Sequence, residues 1–346
     1  MYNNTRILFF WVEASKKIAT GHFKESLALA KFCIKKKINV NFIINYYEPV
    51  KNELIFNKIP FSTLEINEVE KVTSLIKKHS NNPVIIINHR NIELSSLIKL
   101  KKEKVKTIVI DQLGNKEVVC DMLINSSIIP NWLNYKFVGK APDFLSGPKY
   151  AIFRDDFLKL NQTNKKFKKQ IPKVLVTMGG VDRTGATIRI LKALLTIKEK
   201  FNKEIILGNG FPHMKELNGL IDKEKIEMLD IYQGVDDLGK RMSGADIVIS
   251  AGGNTVFELA CVGTPGLVLW EDKHEEEQGN AFEEKGVVIN LGNGSRTSIK
   301  SIAKSVQSLL DDSNKRKQMS NAGKELVNGK GKEYIFESFK EHLIYI

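Results

Sequence analysis

The stretch KKIATGHFKESLALAKF (residues 16–32) places a single histidine, His22, at the start of an amphipathic run. The apolar residues that recur behind it at helical spacing are Phe23, Leu27, Ala30 and Ile34. This spacing predicts a helix with His22 in its first turn. The apolar run ILFFWV precedes it and predicts a strand, so His22 is expected at the carboxyl end of that strand.

The position of His22 suits proton transfer. The positive end of a helix disfavours an imidazolium, so the ring is expected to be neutral near neutral pH and able to act as a general base. The alternative is structural: His22 caps its own helix, and Glu25 completes a capping box. The residues by themselves leave both interpretations open.

The stretch DIVISAGGNTVFELACVGTPGLVLW (246–270) joins a buried strand to a helix through a glycine turn. The turn and the helix start are Gly252, Gly253, Asn254 and Thr255. Gly263 and Pro265 are predicted to end the helix. The unpaired amides and positive end of such a helix suit a phosphate, and Glu258, one turn in, can accept two hydrogen bonds from a ribose diol. The alternative is an ordinary strand–helix unit with a solvent-facing glutamate.

A second glycine turn follows the strand in VLVTMGGVDRTGAT (174–187). Gly179 and Gly180 would let backbone amides face a diphosphate, with Asp182 or Thr184 as the helix cap. A plain turn explains the same residues. The sequence contains neither a P-loop nor a G-x-G-x-x-G motif, which disfavours ATP and NAD.

Other polar residues follow predicted strands or lie in polar stretches. The stretch KYAIFRDDF (149–157) is equally well explained as a surface salt-bridge cluster, and the acidic run EDKHEEEQGNAFEEKG (271–286) as a solvated face. The chain has no D-x-D motif, so we expect no metal-chelated diphosphate of that type. The candidate substrate contacts in these stretches are Asn88, Asp111, Tyr150, Arg154, Gln278 and Asn280.

Short apolar runs alternate with helical patterns twice along the 346 residues, as in parallel sheets covered on both faces. The predicted strands include VNFII, VIIIN, TIVID, KVLVTM, EIILG and IEMLD. The lysine-rich stretch 157–172 is the best domain boundary, which gives domains 1–165 and 166–346. Such domains are expected to bind a ligand in a cleft at the carboxyl ends of their strands. The last predicted helix, about 332–343, is a candidate to pack back on the first domain.

The net charge is +13, carried mostly by paired lysines. Aromatic residues do not interleave with them as a stacking platform would require, so a solvated lysine surface that touches an anionic membrane is favoured over nucleic-acid binding. The three cysteines are scattered, which fits a reducing cytoplasm and excludes a zinc motif. We find no signal peptide or membrane span in the sequence and infer no obligate protein partner.

Five stretches, in order, resemble the UDP-sugar hydrolase of pseudaminic acid biosynthesis and its longer relatives in spore-coat polysaccharide synthesis. These proteins belong to the GT-B superfamily, which includes the lipid II-forming N-acetylglucosaminyltransferase. The stretches are TGHFKESLALA, VIDQLGNKEVVCDMLIN, KYAIFRDDF, VTMGGVD and ISAGGNTVFELACVGTP. The resemblance implies an α/β fold of two doubly wound Rossmann-like domains that face a central cleft.

The resemblance also implies an activity: cleavage of a UDP-sugar at its anomeric carbon, without a metal or cofactor, with His22 activating water. Glu258 would hold the ribose and Thr255 the phosphates. The segment QGVDDL matches the uracil contact, which points to the backbone of Val235. The remaining implied substrate contacts are Glu13, Gly21, Asn88, Asp111, Tyr150, Arg154, Gln278 and Asn280.

The chain departs from the family pattern at residues of the first domain that the resemblance places around the sugar. The family's G-x-G-H-x-x-R reads ATGHFKE at residues 19–25, so that Glu25 replaces an arginine. Trp11 stands where the family has an arginine before the acidic residue of the first strand, and Glu13 keeps the acid. The family's Asp-His reads Asn-His at residues 88–89. The stretches of the second domain that the resemblance assigns to nucleotide binding keep the family pattern.

Three hypotheses follow. The first is a cytoplasmic hydrolase that releases UDP from a UDP-linked (di)acetamido sugar in nonulosonic acid or surface polysaccharide synthesis. The second is a GT-B glycosyltransferase that moves the sugar to a sugar or lipid-linked hydroxyl at the inner face of the membrane. The third is a nucleotide-sugar-binding protein without turnover. A requirement for an acceptor separates the first two, and binding of UDP without turnover marks the third.

Overall fold

The computed structural model describes residues 7–13, 15, 21–65, 67–90, 92–163, 165, 167 and 171–344, with side chains up to residue 340. The chain divides into two compact units, Met1–Arg154 with Lys330–Ile346, and Asp155–Gly329. The units therefore divide earlier than the predicted boundary after residue 165. The reason is Phe157, which is buried in the second unit against Gly239.

The first unit is built on a seven-stranded sheet in the order β3-β2-β1-β4-β5-β7-β9, in which every pair is parallel. Its strands, with the small parallel pair β6 and β8, are β1 Ile7–Val12, β2 Asn39–Ile44, β3 Phe61–Thr63, β4 Val84–Asn88, β5 Lys106–Ile110, β6 Lys116–Val118, β7 Met122–Asn125, β8 Tyr135–Phe137 and β9 Asp143–Ser146. The helices between them are α1 Gly21–Lys35, α2 Glu48–Phe56, α3 Val69–His79 and α4 Leu94–Lys102.

Strand β1 shows why this sheet is covered on both faces. Leu8, Phe10 and Val12 join one apolar cluster, and Phe9 and Trp11 join another on the opposite face. In α1, the predicted positions Phe23, Leu27 and Ala30 are buried. Ile34 is 43% exposed, because Cys33 occupies the buried position in the last turn of the helix.

The second unit has a six-stranded parallel sheet in the order β12-β11-β10-β13-β14-β15. The strands are β10 Lys173–Thr177, β11 Asn202–Leu207, β12 Leu229–Gln233, β13 Ile247–Ser250, β14 Gly266–Trp270 and β15 Val288–Asn293. The helices are α5 Asp155–Asn161, α6 Ala186–Leu194, α7 Met214–Glu224, α8 Leu238–Gly244, α9 Thr255–Val262, α10 Lys273–Glu284, α11 Ile299–Asp311 and α12 Ser313–Leu326. The predicted α/β class with parallel sheets is confirmed.

The last helix, α13 (Gly331–Ile344), is part of the first unit. Ile335, Phe336 and Phe339 join the apolar cluster beneath α1. The Phe336 ring lies edge-on to Phe32 of α1, with 5.7 Å between ring centroids. Among the helices of the described residues, none is long and apolar enough to cross a membrane.

Both sheets place functional candidates by the same rule. Because all strands of a sheet run parallel, their carboxyl ends share one edge, and ligands of such sheets bind in the loops that follow that edge. In the first unit Glu13, Asn88 and Asp111, which lie at or directly after the ends of β1, β4 and β5, share this edge with the start of α1. In the second unit the loops after β10, β11, β12, β13 and β14 meet there.

Candidate functional site

His22 and Asn88 meet at the carboxyl edge of the first sheet. His22 is the second residue of α1, and Asn88 is the last residue of β4, which pairs with β1. The Nδ1 atom of His22 lies 2.8 Å from Oδ1 of Asn88, although 66 residues separate them in the chain. His22 is half-buried and Asn88 is 1% exposed. Packing therefore holds the amide in place, and the amide holds the imidazole.

Glu25 lies behind this pair. The Nδ2 atom of Asn88 donates to Oε2 of Glu25 at 2.9 Å and to the carbonyl oxygen of His22 at 3.2 Å. Gln112, from the loop after β5, donates to both carboxylate oxygens of Glu25 at 3.4 and 3.5 Å. Burial raises the pKa of the Glu25 carboxyl above its usual value. The side chain of Glu25 is thus turned to Asn88 and Gln112 rather than to the backbone amides of a capping box.

Glu13 and His89 form a buried pair beside the Asn88–His22 contact. The Nδ1 atom of His89 lies 3.2 Å from Oε2 of Glu13, and the Trp11 ring packs edge-on to the imidazole with 5.9 Å between centroids. Burial lowers the pKa of His89 to about 4, so this histidine is neutral near neutral pH. Glu13, a predicted substrate contact, is held in the protein interior.

Asp111 organises the turn that follows β5. Its Oδ2 atom accepts hydrogen bonds from the backbone amide of Gly114 at 2.9 Å and the hydroxyl of Tyr135 at 2.6 Å, and its Oδ1 atom pairs with Lys116. Both carboxylate oxygens of this predicted substrate contact are therefore used within the first unit. Gly114 must be glycine here, because a β-carbon would overlap the backbone of Trp132.

Tyr150 and Arg154 lie where the chain leaves the first unit. Tyr150 packs on the apolar cluster beneath α1, with its ring edge-on to Tyr334 at 6.3 Å between centroids. Arg154 is the last residue of the unit before α5. Their predicted role as substrate contacts stays a prediction.

The glycine turn after β13 leads into α9. Asn254 is exposed at the N-cap of α9, and its side chain makes no capping hydrogen bond. Gly263 ends α9 in the left-handed conformation with φ of 68°, which confirms the predicted helix end. Glu258 lies half-buried one turn into the helix. The N-cap residue of α9 thus supplies no side-chain acceptor to the helix start, whereas the carboxylate of Glu275 interacts with the backbone of Gly252 in the same turn.

Gln278 of α10 supports this turn from beneath. Its side chain is 3% exposed, and Nε2 donates to the carbonyl oxygens of Gly252 at 2.5 Å and Gly253 at 2.8 Å. Both hydrogens of the amide are then committed to the turn. The role of Gln278 as a sugar contact stays a prediction; in this structure its amide nitrogen supports the glycine turn.

Glu275 packs against the same turn. It accepts a hydrogen bond from the backbone amide of Glu271 at 2.9 Å, and burial raises its pKa. A β-carbon on Gly252 would lie 2.5 Å from the carbonyl oxygen of Glu275, whereas one on Gly253 would meet Glu275 Oε1 at 3.4 Å. Close packing thus requires a glycine at residue 252, whereas a β-carbon at residue 253 could be accommodated.

The helix start after β10 differs from that of α9. Asp182 accepts hydrogen bonds from the amides of Ala186 at 2.8 Å and Thr187 at 2.9 Å. Its carboxylate therefore satisfies the first amides of α6, while Gly185 is the N-cap residue. Thr184, the other predicted cap, instead bonds through its amide and hydroxyl to Glu271 at 3.2 Å. A carboxylate of the protein therefore occupies the positive end of α6, and the predicted role of the Gly179 and Gly180 amides toward a diphosphate stays a prediction.

The loops after β10 and β11 approach each other closely. The amide of Gly210 donates to the carbonyl oxygen of Gly180 at 3.0 Å. A β-carbon on Gly208 would overlap the carbonyl oxygens of Gly179 and Gly180. The sequence did not single out Gly208 or Gly210, although two glycines flanking one residue after an apolar strand are a usable signal.

Val235 lies at the carboxyl edge of the second sheet, whereas Asn280 lies two turns into α10, beside β15. Val235 follows β12, where the amide of Gly234 is held by the carbonyl of Leu207. Asn280 is exposed on α10, and its Oδ1 accepts a hydrogen bond from Asn290 Nδ2 at 2.6 Å. Their roles toward uracil and sugar stay predictions. Sequence reasoning missed Gln112 and Glu275 as members of the two sites, and it weighed Glu25 only as a helix cap.

Comparison with known families and curated proteins matches the second unit best. The family model of the glycosyltransferase family 28 C-terminal domain matches residues 173–333. An uncharacterised protein of Methanocaldococcus jannaschii is 26% identical over 273 residues, which cover 77% of this chain and 56% of that protein. The spore coat polysaccharide biosynthesis protein SpsG of Bacillus subtilis is 25% identical over 68% of this chain and 69% of that protein.

Two further matches extend over nearly the whole chain. The UDP-N-acetylglucosamine–N-acetylmuramyl-(pentapeptide) pyrophosphoryl-undecaprenol N-acetylglucosamine transferase of Acetivibrio thermocellus is 24% identical over 93% of this chain and 95% of that enzyme. The crystal structure of MurG from Acinetobacter baumannii superposes with a TM-score of 0.66 at 13% identity, covering 97% of this chain and 99% of that one. The fold of this chain is accordingly of the GT-B type.

Proposed function

We propose that the protein is a glycosyltransferase that takes a sugar from a UDP-sugar and passes it to a hydroxyl of a sugar or lipid-linked acceptor. The observation that carries the proposal is the start of α9, where the N-cap residue Asn254 makes no side-chain capping hydrogen bond and Gln278 holds the glycine turn. This turn lies within the region that matches the glycosyltransferase domain. Amides at a positive helix end bind a diphosphate and stabilise it as it departs.

The roles in the second unit follow from this placement. Thr255 and the amides around Gly253 bind the diphosphate, and Glu258 accepts hydrogen bonds from the ribose hydroxyls. Val235 contacts uracil through its backbone, and Asn280 contacts the sugar. The full-length relatives support a transferase, since the Acetivibrio relative is named for transfer of N-acetylglucosamine to a lipid-linked acceptor.

His22 is the general base of the first unit. Its Nε2 atom accepts the proton of the attacking hydroxyl, the oxygen attacks the anomeric carbon, and the bond from that carbon to the diphosphate oxygen breaks with its electron pair leaving on UDP. A general base of this kind typically contributes roughly 10²–10⁴-fold in rate.

Hydrolysis is the second candidate. It is favoured by the ordered resemblance of TGHFKESLALA and the stretches that follow to the UDP-sugar hydrolase of pseudaminic acid synthesis. The same base would then deprotonate water, and the same diphosphate would depart. Binding without turnover is the third candidate, motivated by the altered residues around His22.

The experiment measures UDP release by anion-exchange chromatography from UDP-N-acetylglucosamine and from a UDP-linked 2,4-diacetamido sugar. Each is tested without acceptor and with the N-acetylmuramyl-pentapeptide pyrophosphoryl lipid, and His22→Ala is tested in parallel. Release that needs the acceptor supports the transferase, and release in its absence supports the hydrolase. UDP binding with no release in any arm rejects both activities for these substrates.

A further inference from the structure

We propose that Glu25 is a positioning residue: it fixes the orientation of the Asn88 amide, which in turn makes His22 carry its hydrogen on Nδ1 and keep Nε2 free to accept a proton. This inference rests on the proposed function for its catalytic meaning. The arrangement itself is a property of three side chains in the first unit.

The orientation of the Asn88 amide follows from its neighbours. One end of the amide faces Glu25 Oε2 at 2.9 Å and the carbonyl oxygen of His22 at 3.2 Å. The backbone carbonyl of His22 only accepts hydrogen bonds, so this end must be the NH₂ group, and Oε2 of Glu25 accepts from the same nitrogen. The reverse orientation would press the amide oxygen against two other oxygens and leave the buried amide unsatisfied.

The tautomer of His22 follows from the orientation of Asn88. With its NH₂ group turned to Glu25, Asn88 presents Oδ1 to Nδ1 of His22 at 2.8 Å. An amide oxygen cannot donate, so Nδ1 must carry the hydrogen. The lone pair of the neutral ring is then on Nε2. In the proposed reaction Nε2 takes the proton of the attacking hydroxyl, and Nδ1–H stays bonded to Asn88.

Glu25 acts on His22 in a second way, through charge. When Nε2 accepts a proton the ring becomes cationic, and the Glu25 carboxylate lies one amide away from it. Gln112 also donates to this carboxylate and so keeps it aligned with Asn88. Glu25 and Asn88 are two of the positions where the sequence departs from the family motif, and the structure brings them into contact.

The test is to read the tautomer directly. Two-bond proton–nitrogen NMR correlations of ¹⁵N-histidine-labelled protein distinguish a protonated from a bare ring nitrogen, and His22→Gln assigns the His22 signals. Wild type is expected to show Nδ1–H and a bare Nε2. In Glu25→Gln the introduced amide can donate to Asn88 or accept from it, so only the carbonyl oxygen of His22 still fixes the orientation of Asn88. A measurable share of the Nε2–H tautomer is therefore expected. Because the carboxylate charge is also lost, a roughly ten-fold or greater fall in kcat with little change in KM is expected.

Two further variants sharpen the result. In the double variant Glu25→Gln with Asn88→Asp, the introduced glutamine amide donates to a carboxylate that again accepts from Nδ1–H, so the wild-type tautomer is expected to return, with part of the lost kcat. Glu53→Gln, which removes a carboxylate from the solvent-exposed pair with Lys24, is the matched control and should change neither quantity.

The outcomes separate this inference from the proposed function. An Nε2–H tautomer in wild type, or an unchanged tautomer in Glu25→Gln, overturns the inference. If Glu25→Gln is unfolded, the tautomer of His22 in the wild type and in the double variant still tests the inference. A tautomer that changes as expected in a protein that releases no UDP under any condition supports the inference and counts against the proposed function.

Discussion

The side-chain amide of Gln278 donates to the carbonyl oxygen of Gly252, 26 residues earlier in the chain, at 2.5 Å. The same nitrogen reaches Gly253 at 2.8 Å. A buried amide on α10 thereby sets the turn that leads from β13 into α9. The geometry of the proposed diphosphate site therefore depends on packing between two helices as well as on the glycines themselves.

Replacing Gly252 by alanine should damage this turn more than the same change at Gly253. The added carbon at residue 252 would lie 2.5 Å from a backbone oxygen of Glu275, whereas at residue 253 the nearest contact is 3.4 Å. Overpacking of this kind costs about 1–3 kcal/mol. We expect Gly252→Ala to lower the free energy of unfolding and the UDP affinity, measured by urea denaturation and calorimetry. Equal effects of the two variants would contradict the packing argument.

Glu258→Ala should weaken UDP binding while the protein stays folded. Loss of hydrogen bonds from the ribose to a charged acceptor costs about 1.5–3 kcal/mol, which corresponds to roughly a 10- to 150-fold rise in Kd. Calorimetry with UDP measures this change. The control is Glu325→Ala, which removes an exposed carboxylate from α12 of the same unit. An unchanged Kd in folded Glu258→Ala would remove Glu258 from the ribose role.

The stability of the first unit should fall in mild acid because of His89. Its folded pKa is about 4, below the ordinary value of 6.5, so the unfolded chain binds more protons between these values. The contribution is present above pH 6.5 and is lost as the pH falls towards about 4, by up to about 3 kcal/mol.

The check compares urea denaturation of wild type and His89→Gln across that range. The free energy of unfolding of wild type should fall more steeply with decreasing pH than that of the variant. Only the slopes are compared, because the substitution also changes packing around Trp11. Parallel curves would mean that the buried histidine is not the cause.

We also propose that the surface around α2 touches an anionic membrane. Phe56 is 85% exposed, Ile55 beside it is exposed, and Tyr46 is exposed earlier in the same stretch. The stretch carries Lys51 and Lys58 together with Glu48 and Glu53. An exposed apolar surface on a chain with a net charge of +13 suits an anionic bilayer. We expect co-sedimentation with phosphatidylglycerol vesicles, little with phosphatidylcholine, and a loss in Phe56→Ser. Ile171→Ser, at an exposed apolar residue of the second unit, is the control. Equal loss in both variants would argue against this surface.

Local patterns predicted much of the fold. The apolar run of β1 predicted a strand, and the spacing behind His22 predicted α1, because side-chain period and backbone conformation are coupled within a few residues. Gly263 was identified as a helix end for the same reason. The prediction of strand β12 was less accurate. The run IEMLD predicted a strand at 226–230, and the strand lies at Leu229–Gln233.

The partners of the candidate residues were decided by the tertiary structure. The sequence determined that His22 begins a helix and that a glycine turn begins α9, since these are local properties. It carried no signal that Asn88 and Glu25 would meet beside His22, or that the amide nitrogen of Gln278 would face Gly252. Those contacts join residues 26 to 66 positions apart, and only the strand order of each sheet brings them to one edge.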